Sequence, residues 1–183
     1  MRPRMPSAAR DIRLIISDVD GVWTDGKIVY MGENREIKAF NVRDGLAAKL
    51  AQKVGIRVVL LTSRRSPALV RRARELRIDD LQQGSMNKLE SCERLLKKFD
   101  FRFDQLLYLG DDLPDLAPMT RAGISAAPAD AAPEALSAAQ WKLSSRGGEG
   151  AFRETVERLL RERGDWDSIL EEFKSGKPEA QST

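Results

Sequence analysis

The sequence predicts a doubly wound α/β fold, with a parallel β-sheet covered by helices on both faces. Short apolar runs at 14–16, 58–61 and 106–109 are typical of parallel strands that are buried on both faces. Amphipathic helical segments follow these runs along the chain, as in a succession of β-α units. With 183 residues and no internal repeat, the chain fits a single domain with a substantial core.

The first strand is followed by a predicted β-hairpin. Two β-rich runs flank the turn residues Gly32-Glu33-Asn34, so we expect an inserted hairpin over about 27–40. A helix then opens at Asp44-Gly45 and stops at Gly55. The apolar residues of this helix, at four-residue spacing, are Leu46, Leu50 and Val54.

The middle of the chain predicts two further helices. The first begins at Ser66-Pro67, where a capping residue precedes proline at the first helical position. Its inward-facing residues are predicted to be Leu69, Val70, Ala73 and Leu76. A short strand at 78–81 leads to a second helix over 87–99. The apolar stripe of that helix is Leu89, Cys92, Leu96 and Phe99.

The last part of the chain completes the sheet and its helices. The elements expected after 106–109 are a short helix over 114–122, a strand at 124–126, a loop and helix over 128–139, and an edge strand at 141–143. Gly164 ends a helix whose apolar face is Phe152, Val156, Leu159 and Leu160. We therefore expect a Rossmann-like domain over 11–164, a disordered segment over 1–10, and a C-terminal helix with a disordered tail over 165–183.

Composition excludes several classes of function. Lys and Arg total 31 against 28 acids, and the two signs are interspersed, so we expect no nucleic-acid partner. The chain has no histidine, which excludes histidine-based triads and histidine metal ligands. Its one cysteine, Cys92, excludes an intramolecular disulfide. No apolar run approaches a membrane span, and 1–10 lacks a signal-peptide core, so we expect a cytosolic protein without a membrane partner.

Polar side chains cluster where three predicted strands end. Asp18 and Asp20 follow the first strand, Thr62 the second, and Asp111 with Asp115 follow the strand at 106–109. In an open α/β sheet, ligands bind at the carboxyl ends of the strands, and residues two apart in a strand share a face. Two carboxylates as close as Asp18 and Asp20 repel each other unless a cation lies between them.

Each of these motifs has an alternative interpretation when it is taken alone. Asp18 and Asp20 could form a solvated turn, Asp111 and Asp115 could cap the helix at 114, and Lys88 could be an ordinary surface lysine. Because the motifs fall at one edge of the predicted sheet, we favour one site that they build together.

This set resembles the four motifs of the haloacid dehalogenase-like hydrolase superfamily, in order and spacing. The segment 18–24 (Asp-Val-Asp-Gly-Val-Trp-Thr) is similar to the first motif, Thr62 to the second, Lys88 to the third, and 110–115 to the fourth. The resemblance implies that Asp18 attacks phosphorus and forms an aspartyl-phosphate. It also implies that Asp20 protonates the leaving oxygen and then activates water.

The resemblance also assigns supporting roles. It implies a Mg²⁺ ion held by Asp18, the backbone carbonyl of Asp20 and Asp111, and oxygen ligands suit this hard cation. Thr62 would donate a hydrogen bond to a phosphoryl oxygen, and Lys88 would neutralise charge in the transition state. Asp115 would orient Lys88, and Asp112 would lie beside the metal's ligands. The backbone N–H groups expected to cradle phosphate are those of Asp20, Gly21 and Ser63.

The spacing leaves no room for a cap domain. Only 25 residues separate Thr62 from Lys88, and 22 separate Lys88 from Asp111, which the predicted helices and strands already use. An uncapped crevice is open to water, so we expect a neighbouring subunit to cover it. The hairpin is the expected oligomer surface, and the carboxyl-terminal segment the expected lid.

Further motifs are similar to those of one family, the 3-deoxy-manno-octulosonate 8-phosphate phosphatases. They are Thr-Asp-Gly at 24–26, Phe-Asn-Val-Arg-Asp-Gly at 40–45, Gly-Asp-Asp-Leu-Pro-Asp at 110–115 and Gly-Gly-Glu-Gly-Ala-Phe-Arg-Glu at 147–154. The resemblance implies a cytosolic homotetramer that acts on a phosphorylated 2-keto-3-deoxy sugar acid. It implies that three arginines bind the sugar-acid side, because arginine pairs with carboxylates in a bidentate manner: Arg64, Arg153 and Arg43.

The chain departs from that family's pattern at three positions. Ser63 replaces a usual glycine, Trp23 a usual leucine, and Asn87 a common aspartate. Two alternatives therefore stay open. One is a phosphatase for a nine-carbon, sialic-type sugar-acid 9-phosphate, and the other is a non-catalytic oligomerisation module of the same fold.

Overall fold

A central sheet of six parallel strands organises the computed structural model, which describes residues 8–31 and 36–176. In chain order the strands are β1 (Leu14–Ser17), β2 (Val29–Tyr30), β3 (Glu36–Ile37), β4 (Arg57–Thr62), β5 (Asp80–Gln83), β6 (Leu106–Leu109), β7 (Ile124–Ala127) and β8 (Trp141–Lys142). The helices are α1 (Val42–Lys53), α2 (Pro67–Leu76), α3 (Lys88–Phe99), α4 (Leu116–Arg121), α5 (Pro133–Ala138), α6 (Ala151–Arg163) and α7 (Trp166–Lys174).

The strand order places a crevice at the end of β1. The order across the sheet is β5-β4-β1-β6-β7-β8, so the chain winds outward in both directions from β1. Ser17, the last residue of β1, lies level with Leu60 of β4 and Leu109 of β6. Parallel strands that diverge in this way leave a ligand-binding crevice at their carboxyl ends. The predicted doubly wound fold is confirmed, and the described residues contain no cap domain.

The predicted hairpin forms a separate two-stranded antiparallel sheet. Val29 pairs with Ile37 and Tyr30 with Glu36. The predicted turn at Gly32-Glu33-Asn34 lies outside the described residues.

Helices cover both faces of the sheet, and β1 contributes side chains to both cores. Ile15 packs in the core beneath α1, α2, α6 and α7, whereas Leu14 and Ile16 pack in the core beneath α3, α4 and α5. This alternation is the period-two geometry of a strand buried on both faces. None of the helices in the described part of the chain is both long and apolar enough to cross a membrane.

Four local predictions differ from the structure. Helix α1 begins at Val42, two residues before the predicted start, because the Asn41 side chain caps it by accepting the Arg43 N–H at 2.9 Å. Ser66 precedes α2 without making a side-chain capping bond, and Val70 on that helix is exposed instead of facing inward. Ala8–Asp11 forms a 3₁₀ helix with Ala9 buried, so part of the segment predicted as disordered is ordered here.

The carboxyl-terminal helices belong to the subunit's own core. Phe152 of α6 packs against Trp23 with ring centroids 4.4 Å apart, and Trp166 and Ile169 of α7 are buried in the same core. Helix α6 therefore belongs to the core of its own subunit, and the lid that the carboxyl-terminal segment is expected to form over a neighbouring subunit stays a prediction. Residues 177–183, the predicted tail, lie outside the described residues.

Candidate active site

A cavity of about 180 Å³ lies at the carboxyl edge of the sheet and collects most of the predicted site residues. They come from the loops that follow β1, β4 and β6 and from the start of α3. The lining residues are Asp18, Asp20, Thr62, Ser63, Arg64, Lys88, Asp111, Asp112, Pro114 and Asp115. The structure thus brings together residues up to 97 positions apart (18 to 115) into one crevice.

A buried ion-pair cluster forms the floor of this crevice. Lys88 Nζ lies 2.9 Å from Asp18 Oδ2 and 2.7 Å from Asp115 Oδ1, and all three residues are buried. Lys88 is the first residue of α3, where Asn87 caps the helix by accepting the Glu90 N–H at 3.2 Å. Burial alone would lower the pKa of Lys88, but the carboxylates of Asp18 and Asp115 outweigh it and hold this pKa above its ordinary value. Lys88 is therefore a fixed positive charge beside Asp18.

Asp115 orients Lys88 and has no acceptor capacity left for a ligand. Its Oδ1 also accepts the Tyr108 hydroxyl at 2.7 Å. Its Oδ2 accepts the backbone N–H groups of Asp111 at 3.2 Å and Asp112 at 3.3 Å. The predicted role of Asp115 thus agrees with its contacts. The sequence analysis did not assign Tyr108 to the site. Its position in a buried strand could have indicated a role, because a buried tyrosine hydroxyl usually forms a hydrogen bond.

Asp18 and Asp111 fit a divalent cation. One carboxylate oxygen each of Asp18, Asp111 and Asp115 lies within 4.8 Å of the others. Burial raises the pKa of both Asp18 and Asp111, and the charge of Asp18 raises that of Asp111 further. Asp111 Oδ1 is buried without a hydrogen-bond partner. Since Asp115 is fully engaged, Asp18 and Asp111 are the side chains of this group that are free to fit Mg²⁺.

Gly21 permits the close approach between the loop after β1 and the loop after β6. A Cβ atom at Gly21 would lie 2.0 Å from Asp111 Oδ2, and the residue has a φ of +86°. Only glycine meets both conditions without strain. This explains why the first motif requires glycine directly after Asp20.

Asp20 is held by Lys38, which lies just after strand β3 and pairs with Glu36 of that strand; the sequence assigned neither residue to the site. Lys38, whose side chain is buried, forms an ion pair with Asp20 Oδ1 and lies 3.2 Å from Glu36 Oε1. Arg64 Nη2 lies 2.5 Å from Glu36 Oε2, and its Nε lies 3.9 Å from Asp20 Oδ2. The hairpin therefore reaches the crevice of its own subunit. The sequence feature that could have indicated this contact is the two-residue spacing of Glu36 and Lys38, which places both side chains on the same face of the strand.

Thr62 and Ser63 lie where β4 ends. Thr62 is buried, and its Oγ1 accepts the backbone N–H of Arg64 at 3.1 Å, which leaves the hydroxyl proton available to a ligand. Ser63 is exposed, and its hydroxyl donates to the carbonyl oxygen of Ser85 at 2.8 Å. Asp112 is exposed at the rim, where its Oδ1 accepts the Leu113 N–H at 2.8 Å.

Arg43 and Arg153 lie apart from the crevice of their own subunit. They line a separate cavity of about 570 Å³ beside α6, together with several glutamates and arginines of that helix. Arg153 Nε lies 3.3 Å from Glu157 Oε2, and its guanidinium lies 5.3 Å from the centroid of the Trp166 ring. The sequence-based grouping of these two arginines with Arg64 is therefore not reproduced within one chain, because Arg43 on α1 and Arg153 on α6 line the cavity beside the contact between these two helices.

Comparisons with known proteins agree with this geometry. Residues 77–152 match the family model of the haloacid dehalogenase-like hydrolases. The 3-deoxy-D-manno-octulosonate 8-phosphate phosphatase of Salmonella typhimurium is 41% identical over 90% of this chain and 88% of its own length.

Solved structures of similar proteins share the fold. The Moraxella catarrhalis 3-deoxy-D-manno-octulosonate 8-phosphate phosphatase, solved with magnesium, phosphate and KDO, superposes with a TM-score of 0.90. It is 34% identical, with 94% of this chain and 99% of that chain covered. The cobalt-bound Haemophilus influenzae phosphatase gives a TM-score of 0.88 at 36% identity, over 92% of this chain and 99% of that chain. With this crevice and these relatives, the chain belongs to the 3-deoxy-D-manno-octulosonate 8-phosphate phosphatase family of haloacid dehalogenase-like hydrolases.

Proposed function

We propose that this protein is a Mg²⁺-dependent phosphatase that hydrolyses 3-deoxy-D-manno-octulosonate 8-phosphate through an aspartyl-phosphate. The observation that carries the proposal is the position of Asp18, whose Oδ2 contacts Lys88 at 2.9 Å while its carboxylate faces Asp111 in an open crevice. A carboxylate held between a lysine and a cation site can approach a phosphate dianion, because both positive charges offset the repulsion.

In the first step, a carboxylate oxygen of Asp18 bonds to phosphorus while the bond from phosphorus to the sugar oxygen breaks. The carboxyl group of Asp20 gives its proton to that oxygen, so the sugar acid leaves as an alcohol. Thr62 donates a hydrogen bond to a phosphoryl oxygen, and Lys88 offsets the charge that develops there.

In the second step, the Asp20 carboxylate takes a proton from water, and the water oxygen bonds to phosphorus. The bond between phosphorus and Asp18 breaks, which restores the Asp18 carboxylate and releases inorganic phosphate. Bound Mg²⁺ supplies charge neutralisation and orientation of the phosphoryl group. The groups that would hold it are the carboxylates of Asp18 and Asp111 and the backbone carbonyl of Asp20.

Arg64 is the residue we assign to the sugar acid. Its guanidinium lines the crevice and already binds a carboxylate, that of Glu36, at 2.5 Å. A substrate carboxylate has the same charge and planar shape, so it suits the same fork of donors.

We further propose that the protein works as a homotetramer in the cytoplasm, with the hairpins in contact. The hairpin and the start of α1 expose several large apolar side chains, and clusters of exposed apolar side chains mark interaction surfaces. These exposed side chains are Ile28, Val29, Tyr30, Met31, Ile37, Val42 and Leu46. Light scattering after gel filtration should give about four times 20.5 kDa, and Val29→Asp should lower that mass.

The activity is tested by release of inorganic phosphate from three substrates, with MgCl₂ or with EDTA. They are 3-deoxy-D-manno-octulosonate 8-phosphate, a nine-carbon sugar-acid 9-phosphate and p-nitrophenyl phosphate. We expect Mg²⁺-dependent release with the highest kcat/KM for the eight-carbon compound. A higher kcat/KM for the nine-carbon compound would overturn the substrate, and absence of metal-dependent release from all three would indicate a non-catalytic module.

A further inference from the structure

The glycine-rich loop before α6 packs directly on the backbone that follows Asp20. A Cβ atom at Gly147 would lie 2.0 Å from the carbonyl oxygen of Gly21, and one at Gly148 would lie 2.7 Å from the backbone nitrogen of Asp25. The Gly148 N–H donates to the carbonyl oxygen of Val22 at 2.9 Å. This loop, 147–150, therefore fixes the position of the phosphate-binding loop, 20–25, by direct backbone contact.

The start of α1 holds both the glycine-rich loop and the first turn of α6. Asn41 Nδ2 donates to the carbonyl oxygen of Gly148 at 3.3 Å. Asp44 Oδ1 accepts the backbone N–H of Arg153, in the first turn of α6, at 2.8 Å. The α6 cap residue, Gly150, has no side chain with which to cap the helix, so Asp44 supplies the missing oxygen from another element.

Asp44 is an unusual residue to bury for fold stability alone. It is fully buried, and its Oδ2 has no hydrogen-bond partner. Burial of a carboxylate is costly unless its charge is compensated, and the N-terminus of α6 compensates only part of it. An apolar residue would pack between α1 and α6 without that cost, but it could not hold the N–H of Arg153.

We propose that Asp44 is a positioning residue for catalysis, which holds the start of α6 so that Gly147 and Gly148 keep the phosphate-binding loop in register with Asp111. The connection is short: Asp44 fixes Arg153, the loop before α6 abuts Gly21, and Gly21 abuts Asp111. The proposal rests on the proposed phosphatase activity, and it adds a residue outside the crevice to it.

This arrangement has a kinetic signature. Every phosphate ester uses the same phosphate-binding loop, so displacement of that loop lowers kcat for sugar and aryl phosphates alike. Binding of the sugar acid depends on Arg64, which lies on the loop after β4, so KM for the sugar acid changes little. A lid acts differently, because its loss harms the large substrate and spares p-nitrophenyl phosphate.

The test compares Asp44→Ala with the conservative Asp44→Asn, which keeps an Oδ1 acceptor for the Arg153 N–H. Asp79→Ala is the matched control: Asp79 Oδ2 accepts the Val58 N–H at 2.8 Å, at the opposite edge of the sheet. We expect Asp44→Ala to lower kcat about 10- to 100-fold on both substrates, since small misplacements cost factors of this size. KM should stay within about twofold, Asp44→Asn should recover most of the kcat, and Asp79→Ala should lower Tm but keep kcat.

Amide hydrogen exchange over 20–25, measured on the full chain, separates this proposal from the activity itself. Exchange there should rise in Asp44→Ala and stay at the wild-type level in Asp79→Ala, whether or not the protein hydrolyses the sugar phosphate. If Asp44→Ala does not fold, Asn41→Asp replaces it, because this variant keeps the cap of α1 and loses the donor to Gly148. Wild-type exchange over 20–25 in the folded variant, wild-type kcat in an active one, or a loss confined to the sugar phosphate would overturn the proposal.

Discussion

Within residues 8–31 and 36–176, carboxylates are buried in two places, and only one of them is a site. Burial raises the pKa of Asp18 and Asp111 in the crevice, and it raises the pKa of Asp44 between α1 and α6 to about 6. In the crevice, two carboxylates face each other beside Lys88 and open to a cavity. Asp44 instead meets the N-terminus of a helix in a closed contact. A raised pKa therefore marks burial, and shared geometry is what identifies the chemistry.

The largest expected difference between the two places is the loss of kcat when the carboxylate of Asp18 or of Asp44 is replaced by an amide. Asp18→Asn removes the nucleophile, so kcat should fall by about 10³-fold or more, whereas Asp44→Asn should stay near the wild type. Phosphate release from the sugar phosphate, with circular dichroism to check the fold, measures both. Wild-type turnover in Asp18→Asn would refute the assignment of the nucleophile.

The second expected difference is the response to Mg²⁺, which should depend on the carboxylates of the crevice and not on Asp44. EDTA should abolish turnover, and added Mg²⁺ should restore it. Mg²⁺ at about 100 times its Kd should also stabilise the wild type by roughly 2.7 kcal/mol, because it binds only the folded state.

Thermal unfolding of two variants, with and without Mg²⁺, should show which residues bind the cation. Asp111→Asn should lose the Mg²⁺-dependent rise in Tm, and Asp44→Asn should keep it, because only Asp111 faces Asp18. An equal rise in Tm in both variants would place the cation elsewhere in the molecule.

A smaller difference is expected when a buried hydroxyl group is removed from each place, that of Tyr108 beside the crevice and that of Thr155 in α6. Tyr108→Phe leaves Asp115 with one donor fewer and should lower the free energy of unfolding by roughly 1–3 kcal/mol. It should also lower kcat, because Asp115 orients Lys88. Thr155→Val removes a buried hydroxyl that donates only to the carbonyl oxygen of Ala151 within α6. Urea unfolding and steady-state kinetics should show a loss of kcat in Tyr108→Phe alone; the same kcat in both variants would contradict the role of Tyr108.

The sequence predicted the crevice because its residues occupy strand ends. Asp18, Thr62 and Asp111 each follow a buried strand, and parallel strands bring their carboxyl ends to one edge without further information. The length of the gaps between these motifs was enough to exclude a cap domain. Gly21 was identified by its motif, and its close contact with Asp111 supplies the physical reason.

Contacts between distant elements could not be predicted in the same way. Lys38 reaches Asp20 only because the hairpin folds over the crevice, and Arg153 lines a separate cavity because α6 packs on α1. The apolar stripe around Phe152 predicted a helix before Gly164, but it did not show that Phe152 would pack against Trp23 and complete the core beneath α1. Amphipathic periodicity gives the buried face of a helix, but it does not tell which surface that face will meet.

The last contrast concerns stability and not turnover: it is the share of the pH dependence of stability that comes from Asp44, as distinct from the shares of Asp18 and Asp111, whose pKa values burial also raises. The Asp44 pKa of about 6 in the folded state, against an ordinary 3.8, means that the folded state binds a proton more tightly than the unfolded state. Stability from this group is therefore fully present below about pH 4 and falls as the pH rises to about 6. Burial sets this direction, and the nearby guanidinium groups of Arg153 and Arg72 only reduce it.

Asp44→Asn cannot titrate at this position, so it should lack that decline. The free energy of unfolding of the wild type minus that of the variant should decrease by up to roughly 3 kcal/mol between pH 4 and pH 7, as the two pKa values require. Urea denaturation at both pH values measures this difference. A constant difference would mean that Asp44 carries its charge in the folded state at both pH values, as a well-compensated cap would, and α6 would then offset the whole cost of burying it.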